Sequence, residues 1–117
     1  MIKDFRDLDV WKNGMRIVKD VYDATAVFPS HELYGLSSQM RRAAISIPSN
    51  IAEGFNRRHN KEYRQALYIA LGSCAELETQ IELGTVLGYL EAGKQSALLA
   101  CVQHESRMLT NLIARLR

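Results

Sequence analysis

A basic segment over residues 57–64 is the part of the sequence whose side chains most clearly indicate a chemistry. Its cations outnumber its single carboxylate, Glu62, and they are Arg57, Arg58, Lys61 and Arg64. Clustered arginine and lysine side chains attract phosphate groups, because their N–H donors pair with phosphate oxygens. The segment therefore indicates a nucleic-acid-binding surface, and the alternative is a basic turn that is merely solvated.

Neighbouring residues extend this prediction. His59 and Tyr63 lie beside the arginines, where an aromatic ring can stack on an exposed base. Arginines near residue 115 would share an end of an antiparallel bundle with the segment, although they would also complement the dipole of the last helix. The predicted nucleic-acid-binding residues are Arg57, Arg58, His59, Lys61, Arg64, Arg115 and Arg117.

Carboxylates at helical spacing raise the possibility of a metal site. Glu78 and Glu82 lie one helical turn apart, but a carboxylate-bridged metal pair also needs Glu-x-x-His motifs on facing helices. None of the three histidines stands three residues after a glutamate. The sequence also lacks a G-x-x-x-x-G-K phosphate loop and a G-x-S-x-G nucleophile elbow. It predicts no enzyme activity, no cofactor and no metal ion.

The two cysteines, Cys74 and Cys101, have neither C-x-x-C spacing nor a neighbouring histidine pair. We expect both to be reduced thiols packed in the core, since free cysteine behaves as a small hydrophobic residue. Ser73 and Cys74 lie in the middle of a predicted helix without a histidine partner. We interpret the surrounding stretch, "ALGSCAEL", as a close helix contact at Gly72.

The composition is that of a globular protein. The chain has 117 residues, of which 47% are hydrophobic and 24% charged, and this length suits one domain over residues 1–117. No apolar run approaches the ~20 residues of a membrane span, and "MIKDFRDLDV" is too charged for a signal peptide. We therefore expect a cytoplasmic protein without a membrane association. The net charge is only +2, but residues 76–94 are acidic and would lie opposite the basic segment.

Apolar residues recur at helical spacing in four segments. The predicted helices cover about Leu8–Phe28, Leu36–Gly54, Asn60–Gly88 and Ala92–Leu116. Pro29 stops the first helix, Gly54 caps the end of the second, and Asn60 is the N-cap of the third. Short connections make neighbouring helices antiparallel, so we predict an all-α, up-down-up-down four-helix bundle. The predicted apolar stripe of the first helix contains Val10, Gly14, Ile17, Val21, Ala24 and Phe28, and that of the third contains Tyr63, Ala66, Leu67, Ala70, Cys74, Leu77 and Ile81. The predicted stripe of the fourth helix contains Ala97, Cys101, Met108 and Leu112, flanked by Leu98, Leu109 and Leu116.

The second predicted helix contains a proline in its middle. Its apolar stripe, Leu36, Met40, Ala43, Ile47 and Ile51, keeps its phase on both sides of Pro48. We therefore predict one continuous helix that is kinked at Pro48, where an amide donor is missing.

The second and third predicted helices have more apolar surface than one bundle needs. The additional residues on these helices are Ala44, Ile45, Pro48, Ala52, Phe55, Tyr68, Ala75, Val86 and Leu90. Large apolar patches are seldom left exposed on a soluble monomer, so we predict self-association. The alternative is that these two helices are simply the most buried pair of a monomer.

Several polar residues lie on the second predicted helix, and most are expected to have structural roles. We expect Arg41, which falls within the wide apolar arc, to bind a glutamate of the third helix or a backbone carbonyl at a subunit interface. Ser46, Asn50 and Glu53 form a polar row, which is either hydrogen-bonded structure or a ligand site. The predicted structural and interface residues are Arg41, Arg42, Ile45, Ser46, Pro48, Asn50, Glu53 and Gly54.

Three stretches, "DLDVWKNGMRIVKDVY", "ELYGLSSQMRRAAISIPSNIAEG" and "YIALGSCAELETQIELG", carry a family resemblance. The chain resembles the four-helix-bundle proteins encoded in the intervening sequences of bacterial 23S ribosomal RNA genes, also called S23-like. It shares the motif residues Arg41, Arg42, Ser46, Pro48, Asn50, Glu53 and Gly54. That family is in turn similar to the accessory protein of diversity-generating retroelements, which works with a reverse transcriptase.

The resemblance implies a bacterial protein that forms a homopentameric ring and has a basic surface for RNA or DNA. It implies no catalytic residue. Together with the residues, it favours a non-enzymatic bundle that binds nucleic acid through its basic end. The alternative is a protein-binding accessory scaffold for a nucleic-acid enzyme such as a reverse transcriptase.

Overall fold

Four long helices make up the structure, a computed structural model that describes residues 2–116. They are α1 (Asp9–Thr25), α2 (Leu36–Asn56), α3 (Asn60–Val86) and α4 (Ala92–Arg115), with single 3-10 turns at Phe5–Asp7 and Ser30–Glu32. No strand occurs in the described part of the chain. The prediction of an all-helical protein with four helices is therefore confirmed.

Each helix packs against its neighbour in the chain, and α4 also packs against α1. Within residues 2–116 the diagonal pairs, α1 with α3 and α2 with α4, make no close backbone contact. Short connections make neighbouring helices antiparallel, which gives the arrangement of an up-down four-helix bundle. The described chain is elongated and measures 43 × 24 × 19 Å.

The core is formed by one stripe from each of the four helices, and the stripes of α1, α2 and α3 follow the predicted lines of residues. The predicted stripe of α2 is buried from Leu36 to Ile51, and that of α3 from Tyr63 to Ile81. On α1, Ile17 and Val21 are fully enclosed. Burial of these aliphatic side chains is the main favourable contribution to folding.

The centre of the predicted stripe of α4 is wrong by about one residue, and two of its predicted flanking residues, Leu98 and Leu109, face the core instead. The residues that α4 buries are Leu98, Val102, Glu105, Leu109 and Ile113. Of the predicted residues, Ala97 is exposed, whereas Cys101 and Met108 are only partly buried and face the side of α1. The observed stripe contains a carboxylate, that of Glu105. Apolar spacing alone therefore favours the adjacent line of residues as the buried one.

Helix α2 is continuous through Pro48, as predicted, and it extends beyond its predicted end. Gly54 is not the C-cap but lies inside the helix, which ends at Asn56. A Cβ atom on Gly54 would lie 2.4 Å from the Cβ of Ala66, so this glycine permits α2 and α3 to approach closely. The kink at Pro48 stays a prediction.

Two other predicted helix ends also differ from the structure. Helix α1 ends at Thr25, three residues before Phe28, whose side chain nevertheless reaches the core. Asn60 is the first residue of α3, and His59 occupies the N-cap position with an extended backbone. The interpretation of Gly72 as a close helix contact is wrong, because a Cβ atom there would meet nothing within 4 Å.

Two loops are joined at the end of the bundle opposite the α2–α3 turn. The Glu32 carboxylate accepts a hydrogen bond from the Leu36 amide at 3.0 Å and another from the Tyr89 hydroxyl at 2.8 Å. These two bonds, the amide bond foremost, lower the pKa of Glu32. Gly88 has a φ of 80°, which is suited to glycine, and it turns the chain from α3 toward α4. One carboxylate therefore links the start of α2 to the α3–α4 turn.

Candidate nucleic-acid interface

The structure places the predicted basic residues that it describes at one end of the bundle. The α2–α3 turn lies there, and the 3-10 turn at Phe5–Asp7 packs against α2. Arg115, in the last turn of α4, lines a cavity together with Ile2 and Asp7. The start of α1, the end of α4 and the α2–α3 turn therefore share the basic end, which we define by residues 57–64 and Arg115.

The α2–α3 turn is exposed and rich in cations. Arg57 lies 3.7 Å from the Glu53 carboxylate one helical turn earlier, and both side chains are mostly exposed. Such a pair contributes little to stability and leaves the guanidinium accessible. Arg58, His59 and Lys61 are also exposed.

Arg58 has a backbone conformation that is unusual for its residue type. Its φ is 68°, and it is the single described residue other than glycine with a positive φ. A left-handed conformation costs an L-residue ~1–2 kcal/mol because Cβ crowds the following carbonyl oxygen. A glycine would be suited to this position, yet an arginine occupies it and presents its charge at the tip of the turn.

Tyr63 and Arg64 differ from the prediction. Tyr63 is only 9% exposed, and its ring packs edge-on against Phe55 at 5.8 Å between centroids. Burial raises the pKa of Tyr63 to about 12. A ring enclosed in this way cannot stack on a base, so the predicted stacking role of Tyr63 is wrong. Arg64 is partly buried, and its Nε has no hydrogen-bond partner among residues 2–116.

The two remaining arginines lie at the end of α4. Arg115 is exposed in the last helical turn, where a cation also complements the helix dipole. Arg117 lies outside the described residues.

Arg41 contacts two residues of its own chain. Its Nε donates a hydrogen bond to the Thr25 hydroxyl at 2.9 Å, and its guanidinium lies 4.6 Å from the centre of the Tyr22 ring. Both partners belong to α1 of the same chain. These contacts join α1 to α2, and the predicted contact of Arg41 at a subunit interface stays a prediction.

The predicted polar row on α2 divides into two parts. The Asn50 amide donates to the carbonyl and the hydroxyl of Ser46, and the Ser73 hydroxyl of α3 donates to the Ser46 hydroxyl at 2.9 Å. Ser46 and Asn50 therefore belong to a hydrogen-bonded contact between α2 and α3. Glu53 does not join this network in the described contacts but faces Arg57 in solvent.

The acidic residues of α3 also have partners on α4. Glu78 accepts a hydrogen bond from Gln103 at 3.4 Å, and Glu82 accepts one from Gln95 at 3.0 Å. Across residues 2–116 no group of three or more His, Cys, Asp or Glu side chains is placed to hold a metal ion. Cys74 is buried and Cys101 partly buried, and burial raises the pKa of both thiols.

The additional apolar residues of α2 and α3 are only partly enclosed by their own chain. Ala44, Pro48 and Leu90 are buried within it. Ile45 is 41% exposed, Tyr68 53% and Val86 80%. Arg42 is exposed on the outer side of α2. An apolar surface therefore remains on the outside of α3, and we define the α3 outer face by Tyr68, Ala75, Leu83 and Val86.

Sequence reasoning missed a carboxylate inside the bundle. Glu105 is fully buried, and burial raises its pKa to about 7. Its Oε1 accepts a hydrogen bond from the Asn13 amide at 3.1 Å, whereas its Oε2 has no partner in the described residues. The signal that could have found it is the regular spacing of Leu98, Val102 and Leu109, since this stripe includes position 105.

None of the described helices is both long enough and apolar enough to cross a membrane.

Comparisons with known proteins indicate a family and a fold. A family model described as 23S rRNA-intervening sequence protein matches residues 6–111. A crystal structure of a protein of unknown function from the S23 ribosomal protein family of Bacteroides thetaiotaomicron VPI-5482 is similar, with a TM-score of 0.82 and 19% identity. The match covers 90% of this chain and 95% of that one. No curated protein matches the sequence.

Proposed function

Because the chain belongs to the 23S rRNA-intervening sequence protein family, we propose that it is a non-enzymatic helical bundle whose basic end binds structured RNA. The observation that carries this proposal is the α2–α3 turn, where exposed cations surround an arginine in a left-handed conformation. Unfavourable backbone conformations persist where a function requires them. A charge held at the tip of a turn, at the expense of backbone energy, fits a contact with phosphate.

Phosphate contacts would dominate this binding. The exposed donors are arginines and a lysine, and with Tyr63 buried the turn contains one exposed ring, that of His59. Contacts to phosphate position a protein without reading sequence. We therefore expect an affinity that falls steeply with salt and depends weakly on RNA sequence.

Replacing Arg57, Arg58 and Lys61 together with glutamine should weaken RNA binding at least tenfold. The loss of up to three phosphate contacts should also reduce the slope of log affinity against log salt by about 2. The measurement is a filter-binding salt titration with 23S ribosomal RNA. The matched control replaces Lys19, Arg42 and Lys94, which are exposed cations outside the basic end, and it should bind nearly as wild type does. Unchanged binding by the first variant would reject the assignment.

A second pair of variants separates the charge of Arg58 from its backbone strain. Arg58→Gln removes the charge and keeps the strain, whereas Arg58→Gly removes both. Both variants should lose RNA affinity equally, but only Arg58→Gly should gain stability, by about 1 kcal/mol. Urea denaturation of the two variants measures the difference.

We also propose that copies of the chain associate into a ring, with α2 bent at Pro48. The exposed side chains of the α3 outer face support this, since contiguous apolar surface marks interaction sites. In a ring of parallel copies, the basic ends would combine into one field that attracts phosphates.

Light scattering should give a mass that is a multiple of the 13.3 kDa chain. The double variant Tyr68→Glu/Val86→Glu should instead give the mass of a single chain, because two carboxylates would be buried in the interface without partners. The matched control is Val27→Glu, which alters an exposed apolar residue in the α1–α2 connection. A wild-type protein with the mass of one chain at micromolar concentration would exclude the ring.

A protein-binding scaffold is the competing function. The part of the α3 outer face that lies among the acidic residues 76–94 favours it. Glu82, Leu83 and Val86 are exposed together there. A single protein that co-purifies after nuclease treatment, and that the Tyr68→Glu/Val86→Glu variant no longer binds, would support the scaffold.

A further inference from the structure

An open groove runs between α1 and α4 from the basic end toward the middle of the bundle. Two cavities lie along it, with volumes of about 340 and 470 Å³. Asp9 and Met108 line both cavities, so the two spaces adjoin each other. Arg115 belongs to the cavity at the basic end. The groove therefore begins where the proposed RNA contact lies.

The second cavity contains more cations than carboxylates. Lys12 and Arg16 of α1 lie one helical turn apart, His104 approaches from α4, and Asp9 is the one carboxylate in the lining. In the described part of the chain, Lys12, Arg16 and His104 form no ion pair within 4 Å. A cleft with two unpaired cations on one wall and an imidazole on the other is suited to an anion.

The floor of this cavity is polar and held in place. The Asn13 amide donates to the Cys101 carbonyl at 3.4 Å and to Glu105 Oε1 at 3.1 Å, so both of its N–H groups are engaged. The Cys101 thiol donates back to the side-chain amide oxygen Oδ1 of Asn13 at 3.5 Å. These bonds join α1 to α4 beneath the groove and fix the distance between its walls.

The cations of the groove do not serve as counter-ions for Glu105. Burial raises the pKa of that carboxyl, and the Asn13 hydrogen bond is the contact that opposes the rise. A nearby cation would lower the pKa further. Lys12 and Arg16 are exposed to solvent instead, on the outside of the floor.

We propose that the groove between α1 and α4 binds the phosphodiester backbone of a single-stranded RNA segment. This inference rests on the proposed function and adds a second contact to it. Phosphates would pair with Lys12, Arg16 and His104, while Met108 and Leu112 offer apolar surface to a base or sugar. Residues 104 and 115 are ~16 Å apart along α4, so the segment would continue from RNA held at the basic end.

The test uses the full chain and a fluorescein-labelled oligouridine that contains 4-thiouridine. Lys12→Gln/Arg16→Gln should bind it about fivefold more weakly, with a salt slope lower by about 1 to 2. Crosslinks in the wild type should include peptides of α1 and α4 from the groove. Lys12→Arg/Arg16→Lys keeps both charges and should retain binding, and Lys19→Gln/Arg42→Gln is the control with the same change in charge. His104→Gln alone should weaken binding in the same direction.

The outcomes separate the groove from the basic end. In one outcome, the Arg57, Arg58 and Lys61 variant loses binding, Lys12→Gln/Arg16→Gln does not, and the crosslinks are confined to the α2–α3 turn. This outcome would overturn RNA binding by the groove and leave the proposed function intact. The reverse result would support the groove and reject the turn. A wild-type protein that binds no RNA would overturn both. Binding of inorganic phosphate alone, competing in the groove without any RNA crosslink, would assign it to a small phosphate ligand and also overturn this inference.

Discussion

Glu105→Gln should raise the free energy of unfolding at pH 8 by about 3 kcal/mol, because it removes a buried charge whose burial costs several kcal/mol in part offset by one hydrogen bond. The side chain is fully buried, and its Oε2 has no partner within residues 2–116. A Cβ atom on Gly14 would lie 3.3 Å from this oxygen, so α1 leaves little free space beside it. Glutamine has nearly the same shape and can still accept the Asn13 hydrogen bond.

The sign of the pH-dependence follows from the direction of the pKa shift. Burial raises the pKa of Glu105 from 4.5 to about 7. Between these values the folded state binds more protons than the unfolded state, so stability falls as the pH rises. The stability contributed by the protonated carboxyl is fully present below about pH 4.5 and is lost as the pH passes through about 7. Glu105→Gln should lack this fall and should match the wild type near pH 4.

Urea denaturation between pH 4 and pH 8 measures both effects, and the protein concentration must be fixed because association would shift the apparent stability. Glu76→Gln, at an exposed position of α3, is the control and should follow the wild-type profile. Parallel profiles for the wild type and Glu105→Gln would contradict the assignment of the pH-dependence to this carboxyl.

Gly54→Ala should destabilise the protein by about 1 to 2 kcal/mol, because overpacking a tight contact outweighs the better helix propensity of alanine. The added methyl group would lie 2.4 Å from the Cβ of Ala66 and 3.4 Å from the Tyr63 ring. Neither Cβ can move without a shift of its helix. Thermal and urea denaturation measure the loss.

Matched glycine variants test this explanation. Gly72→Ala and Gly93→Ala add the same group to exposed helical positions where nothing lies within 4 Å. Both should gain about 0.5 to 1 kcal/mol from the lower entropy of the unfolded chain. The double variant Gly54→Ala/Ala66→Gly removes the opposing methyl group and should recover part of the loss. A gain for Gly54→Ala similar to that for Gly72→Ala would show that α2 and α3 can separate at little cost.

The helical architecture could be predicted from the sequence because apolar spacing is unambiguous in the first three helices. The stripe of α2 runs through Pro48 without a change of phase, and the helix does the same. In α4 two adjacent lines of residues are both largely apolar. The line that faces the core includes Glu105. A carboxylate interrupts the apolar pattern, so the spacing of Leu98, Val102 and Leu109 identifies position 105 as buried only if a charged residue is accepted in the stripe. The hydrogen-bond donor that accompanies this burial, Asn13, belongs to α1.

The glycines show a similar limit. Gly54 has the position of a C-cap and Gly72 that of a packing contact, but the structure reverses these roles. Spacing within one helix does not reveal how closely a neighbouring helix approaches. The register between α2 and α3 brings Ala66 against Gly54. This register depends on the side chains of both helices.

The candidate interface was predictable to the extent that it depends on topology. An antiparallel bundle brings the α2–α3 turn to the same end as Arg115, and the structure does so. Side-chain exposure was not predictable in the same way. Tyr63 belongs to the core stripe of α3 as well as to the basic segment, and core packing against Phe55 determines its position. The partner of Arg41 likewise depends on the neighbouring α1 helix.

The hydrogen bonds from Asn13 to α4 have a consequence for how the protein is synthesised. They join residues 88 and 92 positions apart in the chain. Contacts of such high sequence separation form late, since a long loop must close first. Until the ribosome has synthesised α4, the side of α1, α2 and α3 against which α4 packs stays exposed to solvent. The first helix therefore acquires its contact with α4 only after the other three helices have been synthesised.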